Sequence, residues 1–500
     1  MKSGASVSSV TLPRTGVFVG GDWQAATGDG ADEVVNPATE ELLATVPRGG
    51  AADGEAVISA ARRAFDEGPW PAMPGAERAA HLRRLRDELA ARAGQLTDLL
   101  VSEVGSTYAL AASQHVSLPI EQLDYWTTVA ARPDLIARAP RVARRSGGTS
   151  WLGSWVVRRE PVGVVAALIA YNSPFLLAVM KLGPALAAGN TVVLKPSPYT
   201  PLTSFVIAEA VAASDLPPGV VNVLTGGADV GQQLSTDPRV DLVTFTGSDT
   251  VGAAIAAQAA PTLKRVVLEL GGKSAMIVRS DADLDQAARL GLQSITFTAG
   301  QGCALTTRHI VHRSVIDDYQ QKLGALASAV RVGDPARPET QMGPLIRPTA
   351  VERTARYVEG AIEAGAILVA GGKRPSEPPK GYFFEPTVLG EVDSSWSVAQ
   401  DEIFGPVAVT IAFDDDDEAV RIANDSRYGL DGAVVSRDAG TAFELACRLR
   451  AGGVAINGGA GWTNPGVPFG GYKRSGLGRE NGEEGLNHYT ELKTIKYHAG

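Results

Sequence analysis

From Pro161 onward, short apolar runs recur along the chain: "VGVVAALIA", "TVVLKP", "GVVNVLTG", "LVTFTG" and "RVVLELGG", each parted from the next by a stretch with helical spacing. Strands buried on both faces carry this unbroken texture, so the pattern predicts a parallel, doubly wound sheet. After Gly272 a second series begins, "SAMIV", "HIVHR", "AILVAGG", "VAVTIAF", "GAVVSR" and "GVAIN", again separated by helical segments such as "TAVERTARYVEGAIEAG". Two α/β domains are expected, joined near residues 268 to 274. Ahead of them, Asp53 is placed to cap the amphipathic stretch "GEAVISAARRAF". Leu82, Leu85, Leu89, Leu96, Leu99 and Leu100 then follow helical spacing until Gly105. These read as packing helices. The segment "RVARRSGGTSWLGSWVVRRE" reads as a hairpin around Ser146, Gly147 and Gly148, and the tail "ELKTIKYH" alternates like an edge strand. Exposed edges tend to be paired, so both pieces are candidates for contact between copies of the chain. "DDDDE" at 414 to 418 reads as an acidic helix start.

Composition narrows the partners. The chain has 500 residues, enough for more than one hydrophobic core. Its 46 Lys and Arg against 55 Asp and Glu leave a net charge of −9, which repels a phosphate backbone, so nucleic acid is not expected as a partner. The most apolar region, Pro161 to Leu194, is interrupted by Asn172, Lys181 and Asn190 and falls short of the roughly 20 residues that span a bilayer. No membrane partner is expected. The opening "MKSGASVSSVTLPRTG" lacks the apolar core of a signal peptide, and two cysteines build no disulfide framework. A reduced, cytoplasmic setting is the expectation. The six histidines, at 81, 115, 309, 312, 488 and 498, lie apart from any ligand-spaced cluster, so no metal site is expected.

Three positions carry candidate chemistry. Cys303 sits in "TAGQGCALTTR", where neighbouring glycines supply backbone amides and room for a carbonyl to approach. An inert, buried thiol is the ordinary alternative, and Cys447 in "AGTAFELACRLRAG" fits it. Glu269 in "LELGGKS" ends an apolar run, so burial would lift it toward the range of a general base; an ion-paired structural glutamate is the rival reading. Asn172 in "IAYNSPF" lies past a strand end, where its amide can reach an oxyanion or cap the next helix. Weaker signals come from "FTGSDTVG", with Gly247 and Gly252 between a strand and a helix, and from Lys195 in "TVVLKPSP". That lysine either reaches ribose hydroxyls and phosphate or is simply solvated.

Together these motifs resemble the NAD(P)-dependent aldehyde dehydrogenase superfamily over nearly the whole chain. "GQGCALTTR", "LELGGKS", "YNSP", "FTGS", "QDEIFGPV" at 400 to 407 and "PFGGYKRSGLGRENG" at 468 to 482 stand in the family's order. The resemblance implies an α/β fold with a Rossmann-like dinucleotide-binding domain (1–138 and 160–269), a catalytic domain (270–480) and a small oligomerisation sheet (139–159 and 481–500) that builds dimers or tetramers. It implies oxidation of a small-molecule aldehyde to an acid through a thiohemiacetal and thioester on Cys303, with Asn172 holding the oxyanion and Glu269 activating water. For the cofactor, NAD with NADP possible, it implies contacts from Ile169, Lys195, Pro198, Gly231, Gly247, Ser248, Leu270, Glu402 and Phe404. Many NAD-preferring relatives have a glutamate three residues after the lysine; here that position is Pro198, which leaves the preference between NAD and NADP open. Ser173, Leu177, Met180 and Phe469 would line an apolar substrate tunnel suited to a medium or aromatic aldehyde. Thiol acyl transfer, esterase chemistry or acylation of coenzyme A are the competing readings; retention of Glu269 favours water as the acceptor.

Overall fold

The computed structural model describes residues 11–144, 147–148, 150–459 and 464–499. The first apolar series forms the core of an eight-stranded sheet. The chain enters it centrally at Val164–Leu168, steps one way to Thr191–Lys195 and Val221–Val223, then returns past its entry point to Leu242–Thr246 and Arg265–Glu269. These five strands are parallel. The reversal between Val164–Leu168 and Leu242–Thr246 is a topological switch, which opens a crevice at the carboxyl ends of the strands. Antiparallel edges close both sides: Val17–Val19 with Asp22–Gln24 at one, Gly476–Leu477 at the other.

The second series forms a seven-stranded sheet in the order Ile367–Ala370, Thr387–Gly390, Val407–Phe413, Arg308–His312, Ala275–Val278, Gly432–Val435, Ala455–Ile456. Only the Ile367–Ala370 pairing is antiparallel. Thr387–Gly390 escapes the sequence pattern because its apolar run is short. The two sheets are joined through residues 270–274, a passage too short to let Glu269 and the start of the second sheet separate.

The leucine-spaced region folds as Gly75–Ala91, Ala93–Leu99 and a wider turn, Leu100–Val104, ending at Gly105. Its leucines are buried in the first domain's core. The helix expected to start at Asp53 instead spans Ala51–Asp66. Asp53 works from inside the first turn, its carboxylate accepting from Gly50 N at 2.9 Å and Thr27 N at 2.8 Å, so the helix begins earlier than a capping role would place it. Asp415 does cap Asp416–Asn424, accepting from Glu418 N at 2.9 Å.

The hairpin and the tail form a three-stranded sheet, with Leu135–Arg144 and Ser150–Pro161 antiparallel and Thr490–Ala499 at the edge. Of the expected turn, Gly147 and Gly148 take positive φ, and Ser146 lies outside the described residues. The strands run beyond the 139–159 range expected from sequence, and Gly476–Leu477, assigned there to the catalytic domain, pairs with Arg265–Glu269 in the first sheet.

Candidate active site

Three loops converge where the two sheets meet. Glu269 is the last residue of Arg265–Glu269 and is 2% exposed. The backbone then passes through Gly271 and Gly272, and the backbone of the cysteine loop requires the second of them to be glycine. A side chain at Gly272 would put its Cβ 2.3 Å from the Cys303 carbonyl oxygen; at Gly271 it would lie 2.2 Å from Glu402 Oε2. The glutamate loop thus rests directly on the cysteine loop.

The cysteine loop is shaped by strain. Thr298, Ala299 and Gly300 take left-handed φ of 45°, 53° and 74° in succession, conformations costly for the first two. Gln301, fully buried, holds the bend: its Nε2 donates to Thr298 O at 3.0 Å and its Oε1 accepts from Ile346 N at 3.1 Å. Asn172 closes the third side, donating from Nδ2 to Gln301 O at 3.0 Å. Ser173, without a side-chain capping bond, holds the N-cap position of the helix Pro174–Ala188, and the Asn172 amide faces Cys303's loop. One of its two N–H groups remains for a ligand.

Electrostatics couple these residues. Burial, followed by the like charge of Glu480, pushes Glu269 up to about 8. Neither of its carboxylate oxygens meets a hydrogen-bond partner among the described residues, and the Cys303 thiol only tempers the cost. Burial and the Glu269 carboxylate push the Cys303 thiol well above its ordinary value. Beneath them lies a buried ion pair between Lys181 and Glu480, both essentially inaccessible, in which Lys181 Nζ also donates to Thr244 Oγ1 at 3.2 Å. Glu480 Oε2 has no partner among the described residues.

The crevice of the first sheet holds the remaining expected residues. Lys195 ends its strand, and Ile169 N, at the end of the neighbouring strand, donates to Lys195 O at 3.1 Å. A Cβ on Gly231, in the helix Ala228–Thr236, would lie 3.9 Å from Lys195 Cε, so the lysine runs beneath that helix. The lysine is 8% exposed, and burial lowers it to about 8; its amine makes one long contact, to Pro196 O at 3.4 Å. A solvated lysine is therefore excluded. Pro198 lies in the loop that follows, half-buried. Across the crevice, Ser248 caps the helix Asp249–Ala259 and is exposed, Gly247 N donates to Glu269 O at 3.1 Å, and Leu270 packs under Gly252 of that helix. Glu402 accepts from Gly272 N at 3.1 Å, and burial lifts it to about 7. Phe404, at φ 54°, sets its ring 5.8 Å from that of Tyr171, edge to face. Gly272, Gly302, Glu402 and Phe404 line one narrow cleft.

Residues 23–495 match the model of the aldehyde dehydrogenase family. The chain belongs to that family. It is 40% identical over 486 residues to geranial dehydrogenase of Castellaniella defragrans, covering 97% of this chain and 99% of that protein. The Mycobacterium tuberculosis aldehyde dehydrogenase complexed with NAD+ superposes with a TM-score of 0.90 at 41% identity, covering 96% of this chain and 97% of that one. Aldehyde dehydrogenase C of Pseudomonas syringae, a cysteine-to-alanine mutant complexed with NAD+ and octanal, gives 0.90 at 38%, covering 96% of each chain.

In this aldehyde dehydrogenase, Ser173, Leu177 and Met180 are buried at the start of Pro174–Ala188, and half-buried Phe469 packs against the same core. Cys447 departs from its expected buried role: it is exposed, on the outer face of Ala439–Arg448 beside exposed Phe443. Sequence reasoning passed over Gln301, Lys181 and Glu480. Lys181 and Glu480 are charged residues inside apolar or motif segments, and their distance along the chain hid the pair; Gln301 looked like loop filler. Two outcomes follow. Iodoacetamide at neutral pH will label Cys447 ahead of Cys303 in the cofactor-free protein, as peptide mass spectrometry will show; faster labelling of Cys303 contradicts the raised thiol. Gly272→Ala, by overpacking worth about 1–3 kcal/mol, will lower the melting temperature and reduce turnover more than about tenfold; unchanged turnover contradicts the loop contact.

Proposed function

We propose that Cys303 is the nucleophile and Glu269 the deacylation base of an NAD-dependent oxidation of aldehydes to carboxylic acids. The observation that carries this is the convergence of the Cys303, Glu269 and Asn172 loops at the carboxyl end of the crevice. The sequence of events is set by those residues. The Cys303 thiol gives up its proton to water, and the thiolate attacks the aldehyde carbon. The resulting oxyanion is held by the free Asn172 N–H and the Cys303 backbone N–H, which already favours the thiolate. A bound nicotinamide supplies the hydride acceptor. The thioester left on Cys303 is then cleaved by water that Glu269 deprotonates. Retained Glu269 disfavours acyl transfer to coenzyme A or another thiol.

The crevice suits a dinucleotide: a buried Lys195 amine with spare donors, an exposed helix start at Ser248, and a Glu402 carboxylate with one oxygen uncommitted by Gly272. Lys195 would hold the adenosine ribose, Ser248 the pyrophosphate, and Glu402 the nicotinamide ribose, with Phe404 beside the ring and Ile169, Gly231, Gly247 and Leu270 forming the walls. For the substrate, Leu177, Met180 and Phe469 favour an apolar aldehyde of medium length, in keeping with the octanal bound to the Pseudomonas syringae relative. The apolar, exposed three-stranded sheet, with Leu135, Val142, Leu492 and Tyr497 all more than half exposed, supports assembly into dimers or tetramers through that sheet. No helix among the described residues is long and apolar enough to cross a membrane, and a mechanism needing a free thiol suits a reducing cytoplasm.

With octanal and NAD, Cys303→Ser will abolish reduced-cofactor absorbance while Cys447→Ser retains most of it; equal losses would place the nucleophile elsewhere. Glu269→Gln will keep a rapid first turnover but slow the steady state by about a hundredfold or more, and loss of the burst would contradict the deacylation role. The ionised carboxylate is the active form, so steady-state turnover limited by deacylation rises with pH and levels off above about 8. A flat profile between neutral pH and that value counts against Glu269 as the base.

A further inference from the structure

The charges around Lys195 set a choice that Pro198 leaves open. Asp229 lies in the first turn of Ala228–Thr236, the helix whose Gly231 sits over the lysine stem. It is exposed, and among the described residues no hydrogen bond or ion pair claims its carboxylate, which folds back over Gly227. The charges that act on Lys195 are Asp229 and Asp32. Asp32 is already committed to Arg48 at 2.6 Å, so that cation and that carboxylate largely cancel. Asp229 also acts on Arg48, without bonding to it. The uncancelled charges at this end of the crevice are therefore the Lys195 ammonium and the Asp229 carboxylate, and the carboxylate occupies a helix start that would otherwise attract an anion.

We propose that Asp229 is the residue that selects between dinucleotides, admitting one with a free 2′-hydroxyl on its adenosine ribose and repelling one that carries a 2′-phosphate there. The proposal rests on the reading of the crevice as the cofactor site, with the adenosine ribose at Lys195. The hydroxyl is neutral and can donate to a carboxylate, while the phosphate sets its negative charge against that carboxylate and leaves Lys195 as the single uncancelled cation to answer two anions. Pro198, in the loop after Lys195, contributes no charge of its own, so the discrimination falls to the helix over the lysine stem.

The test is binding in the absence of aldehyde. Dissociation constants for NAD and NADP are measured by calorimetry for the unaltered protein, Asp229→Asn and Asp229→Ala, with thermal melts confirming that these surface variants fold. The expected result is tighter binding of NAD by the unaltered protein and a fall of about tenfold in the NADP to NAD ratio of dissociation constants in both variants. Raising the ionic strength should shrink the preference of the unaltered protein and leave that of the variants nearly unchanged. A ratio unmoved by either substitution, with NAD still bound, would overturn the role of Asp229 alone. Failure of the unaltered protein to bind either dinucleotide would overturn the cofactor-site reading along with it.

Discussion

A carbonyl oxygen packed against a glycine holds the reactive centre together. The Cys303 carbonyl occupies the space that a side chain at Gly272 would fill, and the Glu402 carboxylate fills the corresponding space at Gly271. Because Gly271 and Gly272 lie in the short passage between the two sheets, this contact fixes the glutamate at the end of one sheet against the cysteine loop leading into the other. The strained Thr298, Ala299 and Gly300 are held in their bend by the same meeting of loops, through Gln301 and Asn172.

Burial decides the chemistry of that junction. Glu269, Glu402, Lys195 and the Cys303 thiol are all moved away from their charged forms chiefly by loss of water. Glu269 with a value near 8 is a better base than an exposed carboxylate, which is too weak a base to take a proton from water at useful rates. The buried Lys181 and Glu480 ion pair comes at the expense of desolvating two charges, and places a carboxylate where it raises Glu269 further.

Much of this was legible from the sequence. The central strands announced themselves because parallel strands covered on both faces are apolar without alternation, and Val164–Leu168 through Arg265–Glu269 fall where those runs stand. Edge pieces such as Asp22–Gln24 and Gly476–Leu477 did not, since they are too short to build a pattern. Glu269 and Cys303 stood out by being chemically misplaced, a carboxylate ending an apolar run and a thiol among glycines. Lys181 and Glu480 did not, because an ion pair is visible only when its two halves are seen together, and these lie 299 residues apart along the chain. Asp53 was given the wrong place in its helix for a related reason, as its carboxylate serves Gly50 and Thr27 in a neighbouring loop.

The most direct test of the central claim is intact-protein and peptide mass spectrometry of the Glu269→Gln variant, quenched in acid shortly after mixing with octanal and NAD. A covalent thioester waiting for a base that is absent should accumulate as a single octanoyl adduct on the peptide carrying Cys303, and should not form when NAD is left out. An adduct on Cys447, or none at all while reduced cofactor is still produced, would contradict the account.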